Sequence, residues 1–326
     1  MNAPIVFCHY GNSKYLPYVL EAARLTNPDK DIFLLGDHEN RWLGAAQNIK
    51  HYFFDDYQLG SEIETFDQVY RPVQGKKHKQ FKGGKDWLKF VFKRWFYVNN
   101  FLISQDIDDF WHFDSDNMIL DSLAHHEEKF KSYDCTDQCN GMCMNGYISE
   151  RSVVLKYVSK INHLFQDNEF LEEQQREFDE LNESFAFTEM KAYKTFKECI
   201  GCGVKAIRLN TIIDGSTFDD AIRQEHGMEM ECLLYGKNIK KVYLSPNGGF
   251  YCYQKTSDRF VKMNSLNLSW VPNTLFKIVL TQAKKQRNKD ADIELDFSKM
   301  PTLGKIYRRK YYFKVLFRRL KALLKN

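Results

Sequence analysis

The sequence predicts an α/β fold, a mixed and mostly parallel sheet flanked by helices, and three observations predict it. "IVFCHYG" (5–11), "KYLPYVLEAARLTNP" (14–28) and "DIFLLGD" (31–37) read as strand, helix and strand with short connections, which calls for parallel pairing. A strong helical pattern, "DWLKFVFKRWFYVNNFLIS" (86–104), then leads into another apolar run, "FWHFDSDNMIL" (110–120). With 326 residues, 43% of them hydrophobic, the chain can bury a substantial core around such a sheet.

The elements follow in order. The first apolar run stops at Gly11. In the helix Leu16, Val19, Leu20 and Ala23 recur at helical spacing until Asn27-Pro28 ends it. Gly36 and Asp37 close the second strand, and "NIKHYFFDD" (48–56) fits a third. Residues 71–86 are basic, polar and glycine-bearing, a loop composition. In 86–104, Leu88, Val91, Phe92, Trp95, Phe96, Asn99 and Leu102 keep one face. Phe110 to Phe113 read as a strand of the same sheet, with Met118 to Leu120 as its continuation or a following strand. A Gly/Asn-rich loop at 140–147 precedes a helix starting near Ser149. Residues 167–183 read as a solvated helix or long loop, and 185–201 as helix. "VKAIRLNTIIDG" and "IKKVYLSPNGGFYCY" supply further strands. The polar segment 284–300 reads as a linker before a helix-like end. The division expected is one domain over 1–282, made of two halves, to about 120 and over 121–282. A linker at 283–304 and a tail at 305–326 follow.

Composition excludes several classes. Abundant aromatics, 26 Phe and 18 Tyr among them, argue against disorder. No apolar stretch reaches the roughly 20 residues of a membrane span. "MNAPIVFCHYGNSKYL" lacks the basic start of a secretory signal, so a cytoplasmic location is expected. The first loop has no G-x-G-x-x-G, so a dinucleotide site of that type is not indicated. "CTDQCNGMC" and "CIGC" offer thiolates for zinc, but neither looks like a zinc knuckle, and reduced inert thiols are the expectation.

The chemistry centres on Asp114 and Asp116. At the end of a parallel strand, i and i+2 side chains share one side, and the carboxyl edge of an α/β sheet is where ligands bind. Two carboxylates there suit a hard divalent cation, Mg²⁺ or Mn²⁺, bridging a diphosphate. A capped acidic turn is the plain alternative.

Several segments resemble the nucleotide-sugar-dependent glycosyltransferases of the GT-A fold, of the type found in bacterial or viral surface-glycan assembly. They are "IVFCHYGNSKYLPYVLEAARLTNPDKDIFLLGD", "FVFKRWFYVNNFL", "FWHFDSDNMIL", "NGMCMNGYISERSVVLKYV" and "FAFTEMKAY", spread over roughly residues 4–270. The resemblance implies a sugar moved from a nucleoside diphosphate sugar, a UDP-sugar favoured, to a glycan or lipid-linked glycan hydroxyl. It implies that Asp116 ligates the cation, with Asp114 on the ribose or a metal-bound water, and that the ion neutralises charge on the leaving group. His9, Tyr10 and Gly11 would line the base and ribose pocket, and Asp37 would accept from ribose or base. Arg94 and Lys85 would add positive charge near the phosphates. His112 would stand behind the aspartates or in the framework. Glu189, in "TEM" where the family often has Asp, would deprotonate the acceptor if transfer is inverting. Asn267 stands where such enzymes often place a third, histidine, metal ligand, and Ser269 follows it.

The formal charge of +4 conceals an uneven distribution. Residues 301–326 hold nine Lys/Arg and no acid, and taking those nine from +4 leaves −5 elsewhere. That end reads as a basic amphipathic helix suited to an anionic membrane surface, on the inner face of the membrane, with docking on a partner, closing a dimer or non-specific contact with nucleic-acid phosphate as the alternatives. A local patch of this kind argues against specific nucleic-acid binding by the whole fold. A sugar-phosphate nucleotidyltransferase and a non-catalytic glycan- or nucleotide-binding protein are the alternatives, although "CHYGNSKYL" fits the phosphate loop of the former poorly.

Overall fold

The structure is a computed structural model, and it describes residues 2–78, 87–199, 203–234, 236–285 and 295–311. In chain order the first half contains β1 (Ile5–Cys8), α1 (Leu16–Thr26), β2 (Ile32–Gly36), α2 (Leu43–Gln47), β3 (Lys50–Phe53), α3 (Ser61–Val69), α4 (Trp87–Ser104), β4 (Phe110–Asp114), β5 (Asn117–Ile119), α5 (Glu127–Phe130), β6 (Cys135–Gln138) and β7 (Cys143–Ile148). The second half contains α6 (Arg151–Gln166), α7 (Asn168–Glu180), α8 (Glu189–Glu198), β8 (Ala206–Arg208), β9 (Ser216–Phe218), β10 (Met230–Leu234), β11 (Lys237–Lys240), β12 (Val242–Leu244), β13 (Phe250–Gln254), β14 (Arg259–Asn267) and α9 (Asn273–Ala283). Residues 303–311 are again helical.

The chain divides into two compact units. One comprises Met1–Asn12, Lys30–Asp114 and Ala124–Arg208; the other comprises Ser13–Asp29, Ser115–Leu123 and Leu209–Asn326.

The first unit is built on a seven-stranded sheet of order β3-β2-β1-β4-β7-β6-β8. β3, β2, β1 and β4 run parallel, β7 is antiparallel to both β4 and β6, and β8 is parallel to β6. The predicted mixed, mostly parallel α/β sheet is therefore present. Its central strands are continuous apolar runs buried along their whole length, as parallel strands require. Cys8 pairs with Leu35 and with Asp114 across the sheet, so β1, β2 and β4 end at one edge. That register brings His9, Asp37 and Asp114 to the same side. The face carrying Val6, Cys8, Phe33 and Leu35 packs in a core with α3, α4, α6 and α8. In α4 the buried positions include Leu88, Val91, Phe92, Trp95, Phe96, Asn99 and Leu102, the face the pattern predicts. Asp167 caps α7 by accepting from the Phe170 N–H at 3.0 Å, so the acidic stretch 168–180 is helix.

The second unit holds a sheet of order β12-β13-β14-β5, with β9 parallel to β14, and a separate β10–β11 hairpin. α1 and α9 pack together here; the Tyr15 and Phe276 rings stack at 4.7 Å.

Two local expectations change. Residues 143–148 of the expected Gly/Asn loop form β7, and only 139–142 turn. Residues 185–187 are extended, because Phe187 N–H bonds to Val73 and Phe185 accepts from Gly75; α8 begins only at Glu189. Of the two readings of residues 118–120 the following strand holds: β5 is separate from β4 and pairs antiparallel with β14 in the other sheet.

Candidate functional site

The first unit gathers two groups of side chains at the carboxyl edge of β1, β2 and β4. One is a small aromatic pocket. Gly11, at φ +78°, turns the chain after β1 and donates its N–H to Asp37 Oδ2 at 2.5 Å. Asn40 fastens this turn. Its amide nitrogen donates to the carbonyls of His9 (2.9 Å) and Gly11 (3.0 Å), and its oxygen accepts from the Asp37 N–H at 3.1 Å. His51 Nε2 lies 2.7 Å from that oxygen. Gly36 is required here for closeness, since a Cβ would fall 2.1 Å from the Asn40 side chain. Tyr10, Asp37, His38, Phe53, Phe90 and Tyr97 are among the residues lining a cavity of about 120 Å³. Tyr10 is 62% exposed at its mouth. His9 is buried, and its imidazole points to framework duty. Burial lowers its pKa to about 4 against the opposing pull of Asp37, so it is neutral at pH 7.

The second group is a partly buried charge cluster. Arg94 on α4 donates from Nη1 to Asp114 Oδ1 at 2.6 Å and from Nη2 to Glu189 Oε1 at 3.1 Å. Asn145 on β7 donates to the other Asp114 oxygen at 3.0 Å. Burial pushes the Asp114 carboxyl up, but Arg94, His112 and the Asn145 amide together hold it below its ordinary value, and it is ionised. Glu189 has the opposite balance. Burial, helped by Asp114, outweighs Arg94 and raises its carboxyl to about 7. Tyr157 donates to the Glu189 carbonyl at 2.7 Å and pins the start of α8. Among the described residues, Glu189 Oε2, Asn145 Oδ1 and Arg94 Nε are buried without a partner. Arg94 pulls both carboxyls down, and it is burial, with the Asp114 charge, that sets Glu189 apart from its neighbour. His112 donates from Nδ1 to Val6 O at 3.1 Å and packs on Trp95, with burial lowering its pKa to about 4.

The second unit places Asp116 and Asn267. Asp116 Oδ2 accepts from Ser269 Oγ at 2.9 Å. Asn267 donates its amide to Asp220 O at 2.9 Å and accepts from Ser269 N–H at 3.1 Å. Behind them Lys240 reaches Asp219 Oδ1 (2.5 Å), Ala221 O (2.8 Å) and His226 Nδ1 (3.3 Å).

β4 ends at Asp114, and residues 115–116 turn before β5, so the two aspartates do not share one side of an extended strand. Both Asp114 oxygens already accept from protein donors, and the Asn267 oxygen accepts from Ser269. Among the described residues no group of three or more His, Cys, Asp or Glu is placed to hold a metal. Asp114, in the first unit, accepts from Arg94 and Asn145, while Asp116 and Asn267, in the second, both accept from Ser269. Lys85 and residues 312–326 of the basic tail lie outside the described residues. Among the described residues no helix is long and apolar enough to cross a membrane.

Asn40, Asn145 and Tyr157 were not singled out by the sequence. Each acts by a hydrogen bond between residues far apart in the chain, and Asn145-Gly146 carries the appearance of a turn. Cys135, buried on β6, lies 3.4 Å from the Tyr193 hydroxyl, and the seven described cysteines are all free thiols.

No family model matches the chain, and no curated protein matches it either. Two solved structures resemble it distantly. A cytidylyltransferase from Leptospira borgpetersenii serovar Hardjo-bovis is 13% identical, with 61% of this chain and 87% of that one covered, at a TM-score of 0.31. The PaToxG glycosyltransferase is 11% identical, with 62% and 70% covered, at a TM-score of 0.30. Likenesses of this size define no activity for this chain.

Proposed function

We propose that this chain is a glycosyltransferase that moves a sugar from a nucleoside diphosphate sugar, a UDP-sugar favoured, to a hydroxyl of a glycan or lipid-linked glycan. The observation that carries the proposal is the Arg94–Asp114–Glu189 cluster at the carboxyl edge of the parallel strands, beside the Tyr10–Asp37 pocket. The pocket suits a planar base, with Tyr10 to stack on it and Asp37 to accept from base or ribose.

For an inverting transfer the acceptor oxygen attacks the anomeric carbon, the bond to the diphosphate breaks, and the leaving nucleoside diphosphate takes the electron pair. The acceptor's proton goes to Glu189 Oε2, the oxygen without a protein partner. A carboxyl raised to about 7 is well matched to that task near neutral pH. Arg94 holds Glu189 in position and keeps it from rising further. A divalent cation, held by Asp116, would supply charge neutralisation on the leaving diphosphate. The basic tail is proposed to rest on an anionic membrane. Vesicle flotation with and without residues 301–326 checks that; equal flotation would sink it.

The test is incubation with Mn²⁺ or Mg²⁺ and a panel of nucleotide sugars, measuring the nucleotide released. Release of UDP from at least one UDP-sugar is expected, with chelator reducing it. Release of pyrophosphate from a nucleoside triphosphate and a sugar phosphate, with no diphosphate released, would point to nucleotidyl transfer.

A further inference from the structure

Two consecutive helices of the first unit carry opposite and largely unanswered charge. α6 contains Arg151, Lys156, Lys160 and His163 and no acid, whereas α7 contains Glu169, Glu172, Glu173, Glu177, Asp179 and Glu180 against the single Arg176. The inward faces explain themselves. Val154, Tyr157, Val158, Ile161 and Phe165 of α6 and Leu171 and Phe178 of α7 are in the core. The outward faces do not. Leu155, Lys156, Ser159, Lys160 and His163 fall at i, i+1, i+4, i+5 and i+8, one stripe of the helix. With Glu62 and Phe196 they line a cleft of about 680 Å³.

Among the described residues, the side chains of Lys156, Ser159, Lys160 and His163 have no hydrogen-bond or ion-pair partner. Glu62, the one acid in the cleft, already accepts from the Asn162 amide at 2.7 Å. On α7, Glu177 pairs with Lys191 at 3.3 Å. Glu169, Glu172, Glu173, Asp179 and Glu180 have no basic partner among the described residues. Exposed apolar groups accompany both stripes, with Leu155 44% exposed in the cleft and Leu181 78% exposed just after α7.

We infer that this face is a self-association surface, on which the acidic stripe of α7 from a second copy of the chain occupies the basic α6 cleft. Charge complementarity is the argument. One chain presents both halves of an interface, a cationic cleft with an apolar floor and an anionic helix with an apolar end. Each lysine of the cleft then finds a carboxylate, and Leu181 of the second copy has Leu155 to cover. Complementary charge of this kind steers encounter and fixes register, while the apolar contacts hold the pair. If each copy offers both stripes to the other, the pair closes as a two-fold dimer; a one-way fit gives a chain of copies. The inference is independent of the activity proposed above, since no residue of the Arg94 cluster or the Tyr10 pocket takes part.

Light scattering after size-exclusion chromatography, with sedimentation velocity across a concentration series, tests it on the full chain. At low salt the protein is expected to exceed monomer mass, and to dissociate toward monomer near 1 M salt, where the screening length falls to about 3 Å. The double charge reversal Lys156→Glu with Lys160→Glu is expected to weaken self-association at least tenfold. So is Glu172→Lys with Glu173→Lys. The quadruple variant is expected to regain it, which a merely damaged fold would not do. Circular dichroism of each variant confirms folding, as all four side chains lie on the outer faces. A monomer at every concentration and salt overturns the inference. So does an oligomer that neither reversal weakens, or two weakened pairs that fail to rescue one another.

Discussion

Arg94 in the first unit and Lys240 in the second are each set against carboxylates, and these two clusters are finished to different degrees. In the second unit Lys240 has all three donors placed, on Asp219, Ala221 O and His226 Nδ1, and the second Asp219 oxygen accepts from the Asn267 N–H at 3.1 Å. In the first unit Arg94 binds Asp114 and Glu189, yet Arg94 Nε, Glu189 Oε2 and Asn145 Oδ1 are buried without partners among the described residues. Leaving such atoms unpaired costs about 1–3 kcal/mol each. A network with every group answered is a structural device. The Arg94 cluster keeps orphaned donors and acceptors at the carboxyl edge of parallel strands, and the proposed function rests on them.

The contrast can be broken most forcefully at Lys240. Lys240→Met strands Asp219 in the core, and a loss of about 3–5 kcal/mol is expected in urea unfolding. Nucleotide-sugar turnover by the folded fraction should be unchanged. A turnover loss out of proportion to unfolding would erase the distinction between the clusters.

Next in size is the pH dependence introduced by Glu189. Its folded pKa of about 7 lies above the ordinary 4.5, so the folded state holds the proton more tightly than the unfolded state does. Wild-type stability therefore falls relative to Glu189→Gln as pH rises from about 4.5 through 7, by on the order of 3 kcal/mol in all. Thermal melts of both proteins at pH 5 and pH 8 measure it; a constant difference would mean that burial does not perturb this carboxyl.

Asn145→Ala removes one charged hydrogen bond from Asp114 and should cost about 1–3 kcal/mol of stability, read from the urea midpoint. Tyr10→Ala is expected to leave stability alone, because the ring is exposed. It should weaken nucleotide binding by about 0.5–1.5 kcal/mol, roughly two- to tenfold, by calorimetric titration. Unaltered affinity would move the base elsewhere.

How much of this was written in the chain differs between the clusters. The strands at 5–8, 32–36 and 110–114 and the helix at 87–104 follow from apolar runs and 3.6-residue periodicity, because burial there is local pattern. The edge placement of His9, Asp37 and Asp114 followed from parallel pairing. The partnership of Arg94 with both Asp114 and Glu189 did not, since it joins α4, β4 and α8 across 20 and 95 residues. Asp114 and Asp116 looked like one clamp because they stand two apart. The strand ends between them, and each answers to its own unit. Asn145 was hidden by Gly146 after it, which suggested a loop where pairing with β4 and β6 makes a strand.

The central claim is that the unfinished cluster of the first unit performs proton transfer in sugar transfer. The most direct measurement is the rate of UDP release from a UDP-sugar in the presence of acceptor, followed from pH 5 to 9 for wild type and Glu189→Gln. The account predicts a wild-type rate that rises through an apparent pKa near 7. It predicts a variant slower by about 10²–10⁴-fold with no such rise, and with nucleotide affinity unchanged. A variant with the wild-type rate and the same pH profile would contradict it.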